Sequence, residues 1–172
     1  MTPSPDTVVN YVEDALETLF EDDRPLLVND SNERSITHRL AIYLEQEIKD
    51  LEPDYVVDVE YNRVTEENGA TDSIKKRVSY DELTDSCRGR RIQDDDTDAQ
   101  TVFPDIIVHE RESSDHNLLV IELKKTSSTE SGDCDKEKIV RFREDLCYKY
   151  GIFLQLRTDS EPEIAECALF FD

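Results

Sequence analysis

The chain has 172 residues, the length of one domain, and its 42 acidic and 20 basic residues give a formal net charge of −22. No stretch reaches the roughly 20 apolar residues that a membrane-spanning helix needs, and the N-terminus lacks the features of a signal peptide, so we expect a cytoplasmic protein without a membrane partner. The spacing of the four cysteines excludes the paired motifs of structural zinc sites.

The negative charge by itself disfavours a nucleic-acid partner, because like charges slow encounter and weaken binding. In molar salt, however, the Debye length falls to about 3 Å, so distant acids no longer repel a phosphate. Cations close to the binding site then determine whether a phosphate binds. A heavily acidic, lysine-poor surface is the usual composition of proteins that work in such salt. We therefore favour a halophilic adaptation over a protein that simply avoids nucleic acid.

Two amphipathic helices are predicted first. Residues 7–20 carry apolar side chains at helical spacing with acidic residues between them. A link that contains Pro25 leads to a second helix over about 31–50. Asp30 is predicted as the N-cap of this helix, and Glu33, three residues later, completes an acidic version of the capping box.

The first predicted strand covers residues 55–64, in which apolar and polar side chains alternate. Its polar face would carry Asp58, Glu60 and Asn62. Residues 65–100 are polar and contain basic and acidic clusters, so we interpret them as an insertion into the domain, partly mobile and with one short helix.

A β-hairpin is predicted next, from the strand-like runs 101–110 and 117–125 and the polar turn 111–116 between them. If the turn is centred on its middle residues, the numbers of facing residues sum to about 227, which places Asp105 opposite Glu122. The alternation of side chains along a strand puts Glu122 and Lys124 on one face.

The remaining residues predict a helix over 134–149 and two strands, 151–158 and 165–171. The predicted order of elements is α-α-β-β-β-α-β-β. Basic residues surround the apolar stripe of the last helix and are candidates for contacts with a phosphate backbone, although such residues are more often only solvated. The candidates are Lys138, Arg141 and Arg143.

The sequence resembles the PD-(D/E)xK superfamily of restriction-endonuclease-like proteins, in particular a group of small stand-alone members. The resemblance rests on the order of elements, on Pro-Asp (104–105) in the first strand of the predicted hairpin, and on Glu-x-Lys (122–124) in its second strand. The matching segments are ERSITHRLAIYL (33–44), VDVEYNR (57–63), PDIIVHER (104–111) and NLLVIELKK (117–125), with YGIFLQL (150–156) after the last helix. The resemblance implies a single α/β (α+β) domain over 1–172, with a central mixed sheet of four to five strands flanked by helices. It also implies magnesium-dependent cleavage of phosphodiester bonds.

The chemistry of the motif residues agrees with a metal site. Magnesium prefers oxygen ligands and takes one or two protein carboxylates, which Asp105 and Glu122 would supply, with the carbonyl of Leu123 as a further ligand. Two adjacent acids repel each other unless a cation lies between them. Lys124 would stabilise charge on the phosphate or, with a lowered pKa, act as a base. Alternatively, Glu122 and Lys124 form an ordinary solvated strand face.

Two more acids are candidates for this site. Glu33 lies on the same helix face as Leu40 and Leu44 and so points toward the sheet. The resemblance implies that Glu33 is a further catalytic and metal-site carboxylate, whereas the alternative is a capping role alone. Glu60 either approaches the site from the neighbouring strand or belongs to a solvated face.

We therefore expect a magnesium-dependent nuclease that acts on DNA in defence or repair, with Mn²⁺ as a substitute ion. A protein of this size that cuts both strands would usually dimerise. One alternative is a catalytically silent nucleic-acid-binding or assembly module of the same fold. Another is an acidic protein-interaction domain, which only the charge suggests.

Overall fold

The structure, a computed structural model, describes residues 2–61, 63–64, 74–75, 103–111, 113 and 115–171. The helices are α1 (Pro5–Asp22), α2 (Arg24–Val28), α3 (Glu33–Ile48) and α4 (Asp133–Leu146). The strands are β1 (Val56–Val59), β2 (Arg63–Val64), β3 (Ile74–Lys75), β4 (Ile106–His109), β5 (Asn117–Lys125), β6 (Tyr150–Arg157) and β7 (Glu163–Phe170). Most of the predicted insertion 65–100 lies outside the described residues.

The main sheet is mixed and has five strands in the order β1-β4-β5-β6-β7. Neighbouring strands are antiparallel except β5 and β6, which are parallel and are connected through α4. Such a parallel pair needs a long crossover, which a helix commonly supplies. The expected α+β fold with a five-stranded mixed sheet flanked by helices is confirmed, while β2 and β3 form a separate antiparallel pair.

Hydrophobic clusters cover both faces of the main sheet. The larger cluster joins α1 and α3 to one face, and the smaller cluster joins α4 to the other. On β5, Ile121 and Leu123 belong to the first cluster and Val120 to the second, as the alternation of strand side chains requires. Glu122 and Lys124 share the orientation of Val120 and therefore face α4.

The hairpin of β4 and β5 has the predicted register. Ile106 pairs with Ile121 and Ile107 with Val120, so the facing numbers sum to 227 until a bulge shifts the pairing near the turn. Continuing this register by one residue places Asp105, immediately before β4, beside Glu122.

The predicted N-cap of α3 is wrong. Asn32 caps the helix, since its side-chain oxygen accepts a hydrogen bond of 2.7 Å from Ser35 N. Asp30 has a left-handed backbone with φ of 49° and a different role. Its carboxylate accepts hydrogen bonds from Lys125 Nζ at 2.8 Å and from Thr158 Oγ1 at 2.6 Å, and so ties the turn before α3 to the sheet.

The first strand is shorter than the predicted 55–64. It ends at Val59 because Glu60 has a left-handed φ of 52°, which breaks the alternation of side chains. Tyr61 consequently packs against the cluster under α4, with its ring centre 4.9 Å from that of His109. The predicted link around Pro25 contains the short helix α2. No helix within the described residues has the length and apolar character to cross a membrane.

Candidate active site

Asp105 is held by the end of β5. One of its carboxylate oxygens, Oδ2, accepts a hydrogen bond of 2.8 Å from the backbone N–H of Leu123. Burial raises the pKa of Asp105 to about 6, and the hydrogen bond from Leu123 and the charge of Lys138 only partly oppose this effect. The carboxylate is therefore fixed in place, and its charged form is poorly stabilised.

Glu122 lies beside Asp105 and is 1% exposed. Its Oε2 is 3.5 Å from Lys138 Nζ, whereas its Oε1 is buried and has no hydrogen-bond partner among the described residues. Burial, followed by the negative charge of Asp105, raises the pKa of Glu122 well above its usual value. Because buried polar atoms in native proteins almost always have partners, Oε1 marks a position suited to a cation or a polar ligand.

Lys124 is also buried, with 8% of its side chain exposed. Its ammonium lies 3.1 Å from Asp135 Oδ2 and 3.4 Å from Glu130 Oε2. Burial lowers the pKa of Lys124, but the charge of Asp135 and the other nearby acids outweigh it and raise the pKa overall. Lys124 is therefore charged at neutral pH, which favours its interpretation as a charge stabiliser over that of a base.

The first turns of α4 add two residues that sequence reasoning did not assign to the site. Asp135 is 5% exposed and lies between two lysines, with Oδ2 near Lys124 and Oδ1 2.7 Å from Lys138 Nζ. Burial opposes the charge on Lys138, but Glu122 and Asp135 outweigh it and raise the pKa of Lys138. Lys138, predicted as a phosphate contact, is thus packed against the acidic pair.

Glu33 and Glu60 reach the same region from other elements. Glu33 Oε2 accepts a hydrogen bond of 3.0 Å from the backbone N–H of Lys125, so the predicted orientation toward the sheet is confirmed. Glu60 N donates a 3.3 Å hydrogen bond to the carbonyl of Asp105, and its carboxylate pairs at 2.8 Å with the exposed Arg34.

A cleft of about 470 Å³ opens above these residues. Its lining consists of Asn32, Glu33, Arg34, Thr37, Val59, Glu60 and Asp105. Glu60 is the exposed acid of this lining, and Asp105 is half-buried. A ligand could therefore reach the carboxylate of Asp105 from solvent through this cleft.

The other two basic candidates on α4 lie elsewhere. Arg141 pairs with Glu144 at 3.1 Å. Arg143 lines a second cavity, of about 560 Å³, together with Asn117 at the opposite end of β5 from the acidic pair. Their contact with nucleic acid stays a prediction.

The acidic pair fits magnesium better than it fits a softer metal. No group of three or more His, Cys, Asp or Glu side chains with metal-binding spacing occurs in the part of the chain that the structure describes. Magnesium needs only one or two carboxylates, because it keeps several of its waters. Asp105 and the unpartnered Oε1 of Glu122 satisfy that need. Ligation by Glu33 or by the carbonyl of Leu123 stays a prediction.

No protein-family model, no curated protein and no solved structure matches the chain. A function for the protein is therefore inferred from the chemistry of its own site.

Proposed function

We propose that the protein is a magnesium-dependent nuclease of the PD-(D/E)xK type with a restriction-endonuclease-like fold, and that it hydrolyses phosphodiester bonds of DNA. The observation that carries the proposal is the pairing of the half-buried Asp105 with the buried Glu122. One oxygen of Glu122 lacks a partner, and a charged lysine lies on the same strand face. Such a pair has no evident structural benefit, since burial and mutual repulsion oppose its ionisation and the charge of Lys138 only partly offsets them.

The residues have distinct roles in this proposal. Asp105 and Glu122 would hold Mg²⁺, with Mn²⁺ as a substitute. The bound ion supplies an activated water and neutralises charge on the phosphoryl oxygens. Lys124, kept charged by Asp135, stabilises the negative charge that develops on the phosphate. The side chain of Arg34 is 76% exposed at the mouth of the cleft, which supports a substrate that carries phosphate.

A catalytically silent module of the same fold is the second candidate. The observation that favours it is the engagement of both Lys124 and Lys138 with Asp135, which reduces the positive charge available to a substrate. Such a module would still bind a divalent ion or nucleic acid. It would not cleave.

A plasmid-nicking assay in multimolar potassium chloride with magnesium tests the proposal. The wild-type protein should nick supercoiled DNA, and Asp105→Asn and Glu122→Gln should each reduce nicking by about 10²-fold or more. Both substitutions keep the shape of the side chain and a hydrogen-bond acceptor. Asp50→Asn, which removes an exposed acid in the turn after α3, is the matched control and should cut normally.

The outcome for wild-type protein separates the candidates. Calorimetric binding of magnesium without cleavage of DNA or RNA would establish the silent module. Absence of both binding and cleavage would overturn both candidates. Cleavage of RNA alone would correct the substrate and keep the chemistry.

A further inference from the structure

Two lysines share one buried carboxylate at the site. Lys124 lies at one oxygen of Asp135 and Lys138 at the other. The two ammonium groups differ in their next neighbour: Lys138 is 3.5 Å from Glu122, whereas Lys124 is directed toward Glu130. Lys138 is thus the lysine that contacts the proposed metal ligand.

The local charges explain why Lys138 lies there. Acidic side chains around the two lysines outnumber them, and the acids are Glu33, Asp105, Glu122, Glu130 and Asp135. A buried carboxylate without a nearby cation is strongly disfavoured, because water cannot solvate it. The ammonium of Lys138 supplies positive charge to Glu122 at a contact that a divalent ion would also use.

We propose that Lys138 is a built-in counter-ion of the acidic pair, which a divalent cation must displace from Glu122 in order to bind. This inference rests on the proposed function, because it takes Glu122 as a metal ligand. Lys138 and the metal ion compete for the same carboxylate, so Lys138 sets the magnesium concentration at which the site fills.

The position of Lys138 on α4 allows such a displacement. Asp135 lies three residues earlier on the same helix and pairs with Lys138 at 2.7 Å. About a quarter of the Lys138 side chain, 27%, is exposed, so the side chain is not enclosed on all sides. It can leave Glu122 and keep Asp135 as a partner, which lowers the cost of the movement.

Calorimetric titration of MgCl₂ or MnCl₂ into wild-type protein and Lys138→Met tests the inference, at a salt concentration where circular dichroism shows both to be folded. Methionine keeps most of the length of the side chain and removes its charge. The affinity for the ion should rise by about tenfold or more, since a neighbouring like charge typically shifts an ionic equilibrium by that factor. Lys138→Arg, which keeps the charge, should stay near the wild-type affinity.

Lys136→Met is the matched control on the same helix. The ammonium of Lys136 pairs with Glu166 on β7 and lies over the ring of Phe153, so its partners differ from the Glu122 and Asp135 carboxylates that Lys138 contacts. This substitution removes the same charge from the protein, and it should leave the affinity for the ion unchanged. If the affinity of Lys136→Met for the ion rose as much as that of Lys138→Met, the effect would come from the net charge of the protein, and the inference would be overturned.

A measurement on the wild-type protein covers the case in which Lys138→Met fails to fold. The ammonium resonance of Lys138, assigned by nuclear magnetic resonance with ¹⁵N-lysine labelling, should shift and exchange faster with water as MgCl₂ is added. The resonance of Lys136 should not change. A Lys138 resonance that stays constant at saturating magnesium would overturn the inference.

The results distinguish this inference from the proposed function. Wild-type binding and cleavage with equal affinity in Lys138→Met would overturn the counter-ion role alone. Failure of both proteins to bind either ion would overturn the counter-ion role together with the nuclease proposal.

Discussion

Asp105 and Glu122 are acids whose ionisation opposes folding. Burial raises the pKa of both side chains, so the folded protein binds protons that the unfolded chain has released. Their contribution to the free energy of unfolding is therefore fully present below the unfolded pKa, near 4. It is lost as the pH rises through the folded value, which for Asp105 is about 6.

The protein without metal should consequently be more stable at pH 5 than at pH 7.5. The expected difference in the free energy of unfolding is about 1–3 kcal/mol, since one pKa unit corresponds to about 1.4 kcal/mol. Chemical denaturation at fixed multimolar potassium chloride measures it. The pKa of Asp30 is lowered to about 2, first of all by the hydrogen bond from Lys125. The contribution of Asp30 to the free energy of unfolding is therefore lost only below pH 4, outside the pH range of this comparison.

Two comparisons check this prediction. Asp105→Asn should flatten the dependence on pH, because it removes one of the two groups. Magnesium at pH 7.5 should restore stability to the wild-type protein by binding the ionised pair. Stability that increased from pH 5 to pH 7.5 in both proteins would contradict the prediction.

Lys124 should matter for cleavage and not for metal binding. Its ammonium contacts Asp135 and Glu130, so Lys124→Met should leave the affinity for magnesium equal to or slightly above that of the wild type. Cleavage should fall by about 10²- to 10⁴-fold, the range for loss of a positioned charge-stabilising or acid–base group. Calorimetry and plasmid nicking on the same preparation measure both effects. An unchanged cleavage rate would reduce Lys124 to a structural residue.

At the scale of elements, the hairpin of β4 and β5 was predictable, because its turn and its alternating residues fix the register independently of other contacts. On α4, Asp135 was not predicted and Lys138 was predicted only as a phosphate contact, although a signal for their position beside the acidic pair existed. Asp135 and Lys138 precede Ile139 and Phe142 by four residues each and therefore lie on the buried face of the helix.

Two other features depended on local geometry that residue patterns do not specify. The left-handed conformation of Glu60 ends β1 early, and glutamate has no particular preference for it. At the start of α3, Asp30 and Asn32 are both good N-cap residues by type. The contacts of Asp30 with Lys125 on β5 and with Thr158, just after β6, explain why Asn32 is the cap.

The contact of α4 with β6 depends on Gly151. A Cβ atom at this position would overlap the Ile139 side chain. Gly151→Ala should therefore reduce the free energy of unfolding by about 1–3 kcal/mol, the usual cost of overpacking. Ile139→Ala removes the obstructing group, so the double substitution should cost less than the sum of the single ones. Strictly additive losses in chemical denaturation would show that the two residues do not compete for space.

For the whole molecule, the dominant property is the net charge of −22. If this charge is a halophilic adaptation, the folded protein should weaken as potassium chloride is lowered toward 0.1 M. At that concentration the Debye length is about 10 Å, so excess acids across the surface repel one another. Thermal unfolding from 0.1 M to multimolar salt measures the effect.

The type of salt provides the control for this prediction. Sodium and potassium chloride should stabilise the protein to a similar extent, because screening depends on ionic strength. A thermal midpoint that did not change with salt would remove the halophilic explanation and favour the acidic protein-interaction domain.

The turn at Asp30 has a consequence for the order in which the protein matures during synthesis. The helices α1, α2 and α3 leave the ribosome before β5 and β6, yet the partners of Asp30 are Lys125, Ser127 and Thr158. Glu33 likewise can accept its hydrogen bond from the backbone N–H of Lys125 only after β5 has been synthesised. The mouth of the cleft therefore takes its final form only after β6 has emerged, so a nascent chain that stops before β6 carries the acidic motif residues without a finished site.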